Sequence, residues 1–226
     1  AEMMAEKWEL NRDELDEISY LSHQRALDAS TNGHLENQII KIPETLDKDE
    51  GVRPETTKEN LSKLDPAFKT DGVITAGNSS QISDGAAALL VVSEEILNKY
   101  NLQPIAKIKS MSVVGTDPVL MLSGPIPATK KALEKANLKP EDINLAEINE
   151  AFSSVVGAWR KEFPEIDYDN VNANGGSIAI GHPLGATGAR LMTNLIHEMK
   201  RNNLKYGLQA ICEGGGTANA TIVELV

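Results

Sequence analysis

The sequence predicts an α/β protein in which a layered α/β/α domain with a mixed sheet follows a helical, loop-rich subdomain. From residue 104 onward, short apolar runs typical of strands alternate with amphipathic helical stretches. The last two strand candidates, 206–212 and 217–226, are joined by a short glycine-rich turn, which predicts an antiparallel pair within a sheet that also has parallel strands. Residues 1–80 are instead polar and rich in loops, so they form a subdomain with little core of its own.

The clearest helix of the N-terminal subdomain covers residues 11–31. Asn11 can cap it, and Glu14 stands at the position that completes a capping box. Apolar side chains recur at helical spacing behind this start. Asn32 and Gly33 then supply a stop signal, because glycine readily leaves the helical conformation.

The next stretch contains weaker signals. Residues 38–42 are a short strand candidate, and one helical turn or two is expected near 57–64. Residues 75–80 form a small, flexible loop that fits either a plain turn or the wall of a site for an extended ligand. The apolar run 86–92 is typical of a buried segment, and a helix over 93–100 follows from a Ser cap and two acidic residues at its positive end.

The C-terminal part has a regular alternation of strands and helices. Apolar runs bounded by turn residues predict the strands, and helical periodicity with caps predicts the helices. The strands are expected over 105–114, 143–148, 206–212 and 217–226, and the helices over 127–137, 149–162 and 183–201.

Composition limits the classes of partner and compartment. The chain has 226 residues, a net charge of −11 and 41% hydrophobic residues, so we expect no nucleic-acid partner. No apolar run is long enough for a membrane span, and we expect no membrane partner. The single cysteine excludes an internal disulfide, and no signal-peptide pattern occurs, so the expected location is cytoplasmic. The chain opens in a helix-like pattern without an initiator methionine, which favours a truncated or processed chain.

His182 stands in a glycine-rich loop before a predicted helix. Pro183 suits the first turn of that helix, so the histidine would lie beside backbone N–H donors that can bind an anion or a developing oxyanion. Imidazole is also suited to proton transfer near neutral pH. A capping role is the alternative, and the density of glycines favours a functional one.

Cys212 and Asn149 are the other candidates for chemistry. Cys212 precedes three glycines, where a partner histidine or a loop N–H could lower the pKa of its thiol; a small buried hydrophobe is the alternative. Asn149 stands where a strand meets a helix, at the edge of an α/β sheet where ligands gather. It could cap the helix, or its amide could orient a water or hold a carbonyl oxygen.

Four segments together resemble the thiolase family. They are TAGNSSQISDGAAA, NEAF, GGSIAIGHPLGATGAR and CEGGGTANA, which occur in the order and at the spacing of that family. The helical start is similar to the family's loop domain, and the resemblance covers essentially the whole chain. It implies a thiolase-like fold and acyl transfer between 3-ketoacyl-CoA and CoA, by thiolytic cleavage or by reverse Claisen condensation.

The resemblance implies roles for individual residues. Cys212 matches the cysteine that moves the proton, and His182 matches the histidine that activates the nucleophilic cysteine and contributes to an oxyanion site. Asn149 matches the residue that holds a water at such a site. Coenzyme A enters as a substrate, with no further cofactor and no metal. The positions that would lie along CoA and its pantetheine arm are Arg53, Phe68, Ala76, Ser80 and Phe152.

One departure from the family pattern is clear. The nucleophilic cysteine of thiolases lies on a separate N-terminal half, and this chain has no second cysteine. We therefore expect the C-terminal portion of a thiolase, with residues 1–80 as a partial loop domain that covers CoA. Residues 81–103 would close the N-terminal domain, and 104–226 would form the C-terminal domain. An N-terminal half or fragment is the expected partner, within a homo-oligomer, and without it the apolar residues 86–92 would be exposed.

Two alternatives remain at this point. A non-catalytic relative that binds CoA or lipid could keep the fold without the nucleophile, although such a protein would need neither His182 nor Cys212. A condensing enzyme of the ketoacyl synthase type would have a second histidine where Cys212 stands, so the cysteine disfavours it.

Overall fold

The computed structural model describes all 226 residues and contains one four-stranded mixed sheet. Its order is β1-β4-β3-β2; β2 and β3 are parallel, and the other two pairs are antiparallel. The predicted mixed sheet and the antiparallel pair at the end of the chain are therefore confirmed. The strands are β1 (Ala106–Gly115), β2 (Leu145–Ile148), β3 (Tyr206–Glu213) and β4 (Thr217–Leu225).

Eight α-helices accompany the sheet. The long N-terminal helix and the three predicted helices of the C-terminal part all occur, and two of those three begin later than expected, as described below. The helices are α1 (Glu2–Lys7), α2 (Arg12–Thr31), α3 (Lys58–Ser62), α4 (Glu94–Tyr100), α5 (Pro125–Ala136), α6 (Ser153–Glu162), α7 (Ser177–Ile180) and α8 (Thr187–Asn202).

The sheet lies between two layers of helices, as the α/β/α prediction requires. On one face, the main apolar core joins the sheet to α5 and α6, and the fully buried Trp159 donates its indole N–H to Thr129 Oγ1 at 3.0 Å. On the other face, Leu195 and Met199 of α8 pack against Leu145 and Val223 of the sheet. Burial of these side chains away from water is the main source of stability for the domain.

Helix α2 attaches the N-terminal subdomain to the sheet domain. Its predicted capping box is present: Asn11 Oδ1 accepts from the backbone amide of Glu14 at 3.0 Å, and Glu14 Oε2 accepts from the backbone amide of Asn11 at 2.8 Å. The helix packs against α6 and α7, and the close approach to α6 occurs where Gly157 has no side chain. This contact brings the loop subdomain to the end of the sheet where the candidate residues lie.

The prediction of a strand over 38–42 is wrong. Gln38 ends a turn and residues 39–41 have no regular structure; the only ladder contact of this segment is an isolated bridge between Ile42 and Leu46. Ile40 is 91% exposed. An apolar run cannot form a strand where no second strand is available to satisfy its backbone groups.

Two helices begin later than expected. The helix predicted from 149 starts at Ser153, so Asn149 is not its cap. The helix predicted from Pro183 starts at Thr187, with Ala186 at the cap position. In both places a loop precedes the helix, residues 149–152 before α6 and 181–186 before α8, and these loops carry Asn149 and His182. The short helix α7 was not predicted.

Residues 82–92 contain the largest departure from the sequence pattern. The apolar run is not buried: this segment forms no strand, and Leu90 and Val91 are 79% and 71% exposed. That exposure agrees with the expectation drawn from the family resemblance, in which these residues lack a partner. None of the helices combines the length and the apolar character that a membrane crossing demands.

Strand β1 forms one edge of the sheet, and two lysines of α5 cover it. Lys131 donates to the backbone carbonyl of Val113, and Lys135 donates to that of Met111, both at 2.9 Å. Alternate carbonyls of a strand point the same way, so both lysines serve the same open edge.

Candidate active site

The candidate catalytic residues meet at the carboxyl ends of the two parallel strands. Asn149 follows β2 directly, and its backbone amide donates to Ala210 of β3 at 3.0 Å. Cys212 lies near the end of the same strand β3, paired with Ala218 of β4. His182 arrives from outside the sheet, two residues after α7. Residues distant in sequence are therefore brought together at the end of the sheet where β2 and β3 terminate.

His182 is half-buried and has a partner at each ring nitrogen. Its Nε2 lies 3.4 Å from Asn149 Nδ2, and its Nδ1 lies 2.7 Å from Thr187 Oγ1. The backbone amide of His182 donates to Gln81 at 3.1 Å, which ties the loop to the segment that follows residues 75–80. Burial lowers the pKa of the imidazole. The ring is therefore neutral at neutral pH and can accept a proton.

Asn149 is fully buried, and its carboxamide is fixed at both ends. The oxygen Oδ1 accepts from Ser177 Oγ at 2.6 Å, and the nitrogen Nδ2 faces His182. Because Asn149 precedes the helix by four residues, its side chain serves this site instead of the helix terminus. Of the two roles that its position in the sequence allowed, the capping role is excluded.

A glycine lets the chain turn from α7 to His182. Gly181 has φ of +88°, a conformation that side chains with a Cβ rarely adopt. A Cβ built there would lie 2.2 Å from Ser83 Oγ. Both observations show why this loop contains glycine immediately before the histidine.

Glu150 is a buried carboxylate that holds the surrounding elements together. It accepts from Ser22 Oγ of α2 at 2.6 Å, from Asn172 Nδ2 at 2.9 Å and from the amide of Ile178 in α7 at 3.1 Å. Burial raises its pKa, and these hydrogen bonds act in the opposite direction. The carboxylate thus links the end of β2, the loop-subdomain helix and the short helix that leads to His182.

Cys212 differs from the sequence expectation in its electrostatics. The side chain is half-buried, and burial, with a smaller contribution from Glu213, raises the pKa of its thiol to about 11. No side-chain hydrogen bond joins the sulfur to His182 or Asn149. A backbone N–H acts in the lowering direction, but burial outweighs it; the expectation of a lowered pKa is therefore wrong for the chain as described, and the resting thiol is protonated.

Three of the five expected CoA-binding positions lie together. Phe68 is 65% exposed and contacts Phe152 edge to face, with ring centroids 6.3 Å apart. Ser79 bridges to Phe152, and the amide of Ser80 donates to Ala151 at 3.0 Å. The loop 75–80 is therefore attached to the NEAF segment beside the catalytic candidates, instead of standing free as a plain surface turn.

The two other expected positions, Ala76 and Arg53, are exposed. Ala76 begins a single 3₁₀ turn capped by Thr75. The side chain of Arg53 forms no hydrogen bond or ion pair, and its backbone amide donates to His23 Nδ1 at 3.2 Å. Burial, and secondarily the charge of Arg53, lowers the pKa of His23 to about 4. Nothing beyond this local contact joins Arg53 to the other positions.

Sequence reasoning missed three polar residues of this site. Ser177, Thr187 and Glu150 all lie inside the quoted motifs, yet only the fold reveals their partners. The available signal was a polar residue within an otherwise small or apolar motif: Glu150 directly after Asn149, and Ser177 and Thr187 five residues before and after His182. No group of three or more His, Cys, Asp or Glu side chains could hold a metal ion.

Two family models match the chain. The model described as "Thiolase, N-terminal domain" matches residues 1–95, and the model described as "Thiolase, C-terminal domain" matches residues 102–225. Steroid 3-ketoacyl-CoA thiolase FadA6 of Mycobacterium tuberculosis is 49% identical over 99% of this chain and 55% of its own length. The 3-ketoacyl-CoA thiolase of Bacillus subtilis is 42% identical over 100% of this chain and 61% of its own length.

Solved structures show the same similarity. The acetyl-CoA acetyltransferase of Bacillus anthracis superimposes with a TM-score of 0.94 at 43% identity, covering 100% of this chain and 59% of that one. Human mitochondrial 3-ketoacyl-CoA thiolase in complex with CoA gives 0.93 at 39% identity, covering 100% and 57%. The chain thus spans little more than half the length of these relatives. Matches over nearly its whole length show that the chain belongs to the thiolase family.

Proposed function

We propose that this chain supplies the proton-transfer and oxyanion-binding part of a thiolase, which moves an acyl group between 3-ketoacyl-CoA and CoA. The observation that carries the proposal is the Asn149–His182 pair at the end of β2, beside the strand that bears Cys212. Such an enzyme needs a base, an acid and N–H donors aimed at a developing oxyanion. These three residue types meet those needs.

The neutral imidazole of His182 can take the proton of a nucleophilic cysteine that another part of the enzyme provides. Once Nε2 carries that proton, it and Asn149 Nδ2 are two donors 3.4 Å apart, suited to one oxygen between them. Each donor of this kind is worth roughly 3 kcal/mol of barrier. Asn149 could act directly or through a bound water.

Cys212 would move the second proton. In cleavage, the protonated thiol gives its proton to the carbon of the departing acetyl-CoA enolate, and the resulting thiolate then takes the proton of the incoming CoA thiol. In condensation, the order is reversed. The raised pKa of this thiol suits the donating step, because the resting group holds its proton at neutral pH.

The CoA substrate would lie along the loop subdomain. We propose that Phe68 and Phe152 border the pantetheine arm, with Ser80 and Ala76 along its channel and Arg53 against the adenine end. The aromatic contact between Phe68 and Phe152, and the attachment of Ser80 to Ala151, support this path. We further propose a domain division at 1–80, 81–103 and 104–226, and a cytoplasmic location.

The proposed partner is the N-terminal half of a thiolase, which would bring the nucleophilic cysteine and cover the exposed residues Leu90 and Val91. The complete enzyme would then be a homo-oligomer. A non-catalytic role in binding CoA or lipid is less favoured, because such a role has no use for the paired Asn149 and His182.

The test is acyl transfer from acetoacetyl-CoA to CoA by the 226-residue chain, alone and together with an N-terminal thiolase segment that carries the nucleophile. We expect CoA binding in both samples and turnover only in the combined one. His182→Gln should abolish that turnover, whereas Ser154→Ala, which removes a buried hydroxyl without a hydrogen-bond partner, should keep it. Turnover by the chain alone, or CoA binding without turnover in the combined sample, would contradict the proposal.

A further inference from the structure

A continuous chain of hydrogen bonds runs through the candidate site. Ser177 Oγ donates to Asn149 Oδ1 at 2.6 Å, and Asn149 Nδ2 lies 3.4 Å from His182 Nε2. On the other side of the ring, Nδ1 lies 2.7 Å from Thr187 Oγ1, which in turn lies 2.9 Å from the carbonyl oxygen of Pro183. Both hydroxyl-bearing residues at the ends of this chain are buried.

The direction of the bonds is assigned from the Pro183 carbonyl, which can only accept; it accepts from the Thr187 hydroxyl at 2.9 Å and also from the backbone amides of Ala186 and Thr187. Thr187 has one hydroxyl proton and gives it to that carbonyl, so its oxygen accepts from His182 Nδ1–H. The ring is neutral, and Nε2 therefore carries a lone pair that needs a donor. Asn149 can meet that need only with its NH₂ group, which leaves Oδ1 for the hydroxyl of Ser177.

We propose that Ser177 and Thr187 are positioning residues that together fix the tautomer of His182 and the orientation of the Asn149 carboxamide. Thr187 holds the proton on Nδ1, so that Nε2 is free to act as the base. Ser177 holds Oδ1 away from the ring, so that the NH₂ group faces the reacting atoms. The proposal rests on the proposed function only in naming this an acyl-transfer site.

The effect of losing the Ser177 hydroxyl follows from burial. Ser177 and Asn149 are both 0% exposed, so solvent does not replace the missing donor. The carboxamide can then rotate and present Oδ1 to Nε2, which favours a proton on Nε2 and raises the pKa of His182. Rotation would also remove the N–H donor that an oxyanion requires.

Charged groups near the ring do not compete with this chain. Asp49, Asp84 and Arg190 line a small cavity beside Pro183 and Thr187. Arg190 is held by both carboxylate oxygens of Asp49, each at 2.8 Å, and none of the three side chains hydrogen-bonds to the imidazole. The burial that lowers the pKa of His182 and the four hydrogen bonds are therefore the local determinants of its protonation.

The experiment is ¹⁵N NMR of the histidine rings in the 226-residue chain, which reports tautomer and pKa without turnover. We expect the Nδ1–H tautomer for His182 in the unchanged chain. Ser177→Ala should raise the pKa of His182 by about half to one unit, the size that one neutral hydrogen bond contributes. Thr187→Val should shift the neutral ring toward the Nε2–H tautomer.

Two matched substitutions serve as controls. Ser154→Ala removes a fully buried serine hydroxyl that has no partner, and Thr193→Val removes a hydroxyl on the same helix that bonds only to Ala189. Both should leave the His182 titration and tautomer as they are. A structural role of Ser177 in folding alone would lower stability without moving either reading.

The proposal is overturned if the unchanged chain shows the Nε2–H tautomer, or if Ser177→Ala and Thr187→Val both leave tautomer and pKa within about 0.2 unit of the original. If one variant does not fold, the other variant and the tautomer of the unchanged chain decide. Failure of the proposed function is a separate result: His182 would respond as expected, while the combined sample with the N-terminal segment showed no acyl transfer.

Discussion

The raised pKa of the Cys212 thiol makes a prediction that needs no reaction partner. Cys212 is the only cysteine, so its alkylation can be followed without interference from other thiols. Only the thiolate reacts with iodoacetamide. Unfolding the chain with urea removes the burial that raises the pKa. The perturbation is therefore unfolding, and the rates of alkylation of the folded and the unfolded chain are compared.

The magnitude follows from the shift of the pKa from 9.0 to about 11. Two pKa units reduce the thiolate fraction about 100-fold at any pH below 9. A thiolate of higher pKa is also a better nucleophile, which recovers roughly tenfold over two units. The net expectation is alkylation about ten times slower in the folded chain than in the unfolded chain at pH 7.5, before any loss through restricted access.

The pH dependence separates the pKa from simple shielding. We expect the alkylation rate of the folded chain to keep rising about tenfold per pH unit between pH 8 and 10.5. The rate of the unfolded chain should level off near pH 9. A folded-state rate that levels off below pH 9, or one equal to the unfolded rate at pH 7.5, would refute the argument from burial. Circular dichroism at each pH checks that the chain stays folded.

Three further predictions concern stability and the site loop. Glu147 is buried, one of its oxygens has no partner, and burial followed by the charge of Glu150 raises its pKa well above 4.5. The folded chain therefore keeps a proton that the unfolded chain loses, and the free energy of unfolding should fall above pH 4.5 by up to about 1.4 kcal/mol per pH unit. Urea titrations at several pH values should show a shallower dependence of this free energy on pH for Glu147→Gln. An unchanged dependence would contradict this prediction. Gly181→Ala should displace the loop and shift the His182 NMR signals, because φ of +88° and Ser83 oppose a Cβ; unchanged signals would show that the loop adapts. Asn11→Ala should lower the free energy of unfolding by about 1 kcal/mol, because it removes the cap of α2. Urea titration measures this difference, and an unchanged free energy would show that the cap contributes nothing.

Local signals explain what could be predicted from the sequence. The Asn11 and Glu14 capping box acts within a few residues, so the start of α2 was predictable. The β3–β4 pair was likewise predictable, since a short glycine-rich turn leaves little choice of partner. Residues 38–42 show the limit of such signals, because a strand also needs a distant partner.

The site itself depends on contacts that sequence spacing does not contain. The loops before α6 and α8 carry Asn149 and His182. The helical periodicity of the sequence continues through both loops, so it predicts helices that begin too early. The roles of Ser177 and Thr187 follow only from the meeting of β2, α7 and α8. The pKa of Cys212 depends on its burial by the fold, which a glycine-rich sequence did not predict.

The two lysines that reach β1 have a consequence for how copies of the chain can associate. An uncovered strand edge is a template for another strand, and its free carbonyls are the acceptors that a newcomer would use. Lys131 and Lys135 occupy two of those acceptors and place positive charges along the same border. A strand of another copy could pair with the β1 edge only by displacing both ammonium groups, so continuation of the sheet across this edge is disfavoured.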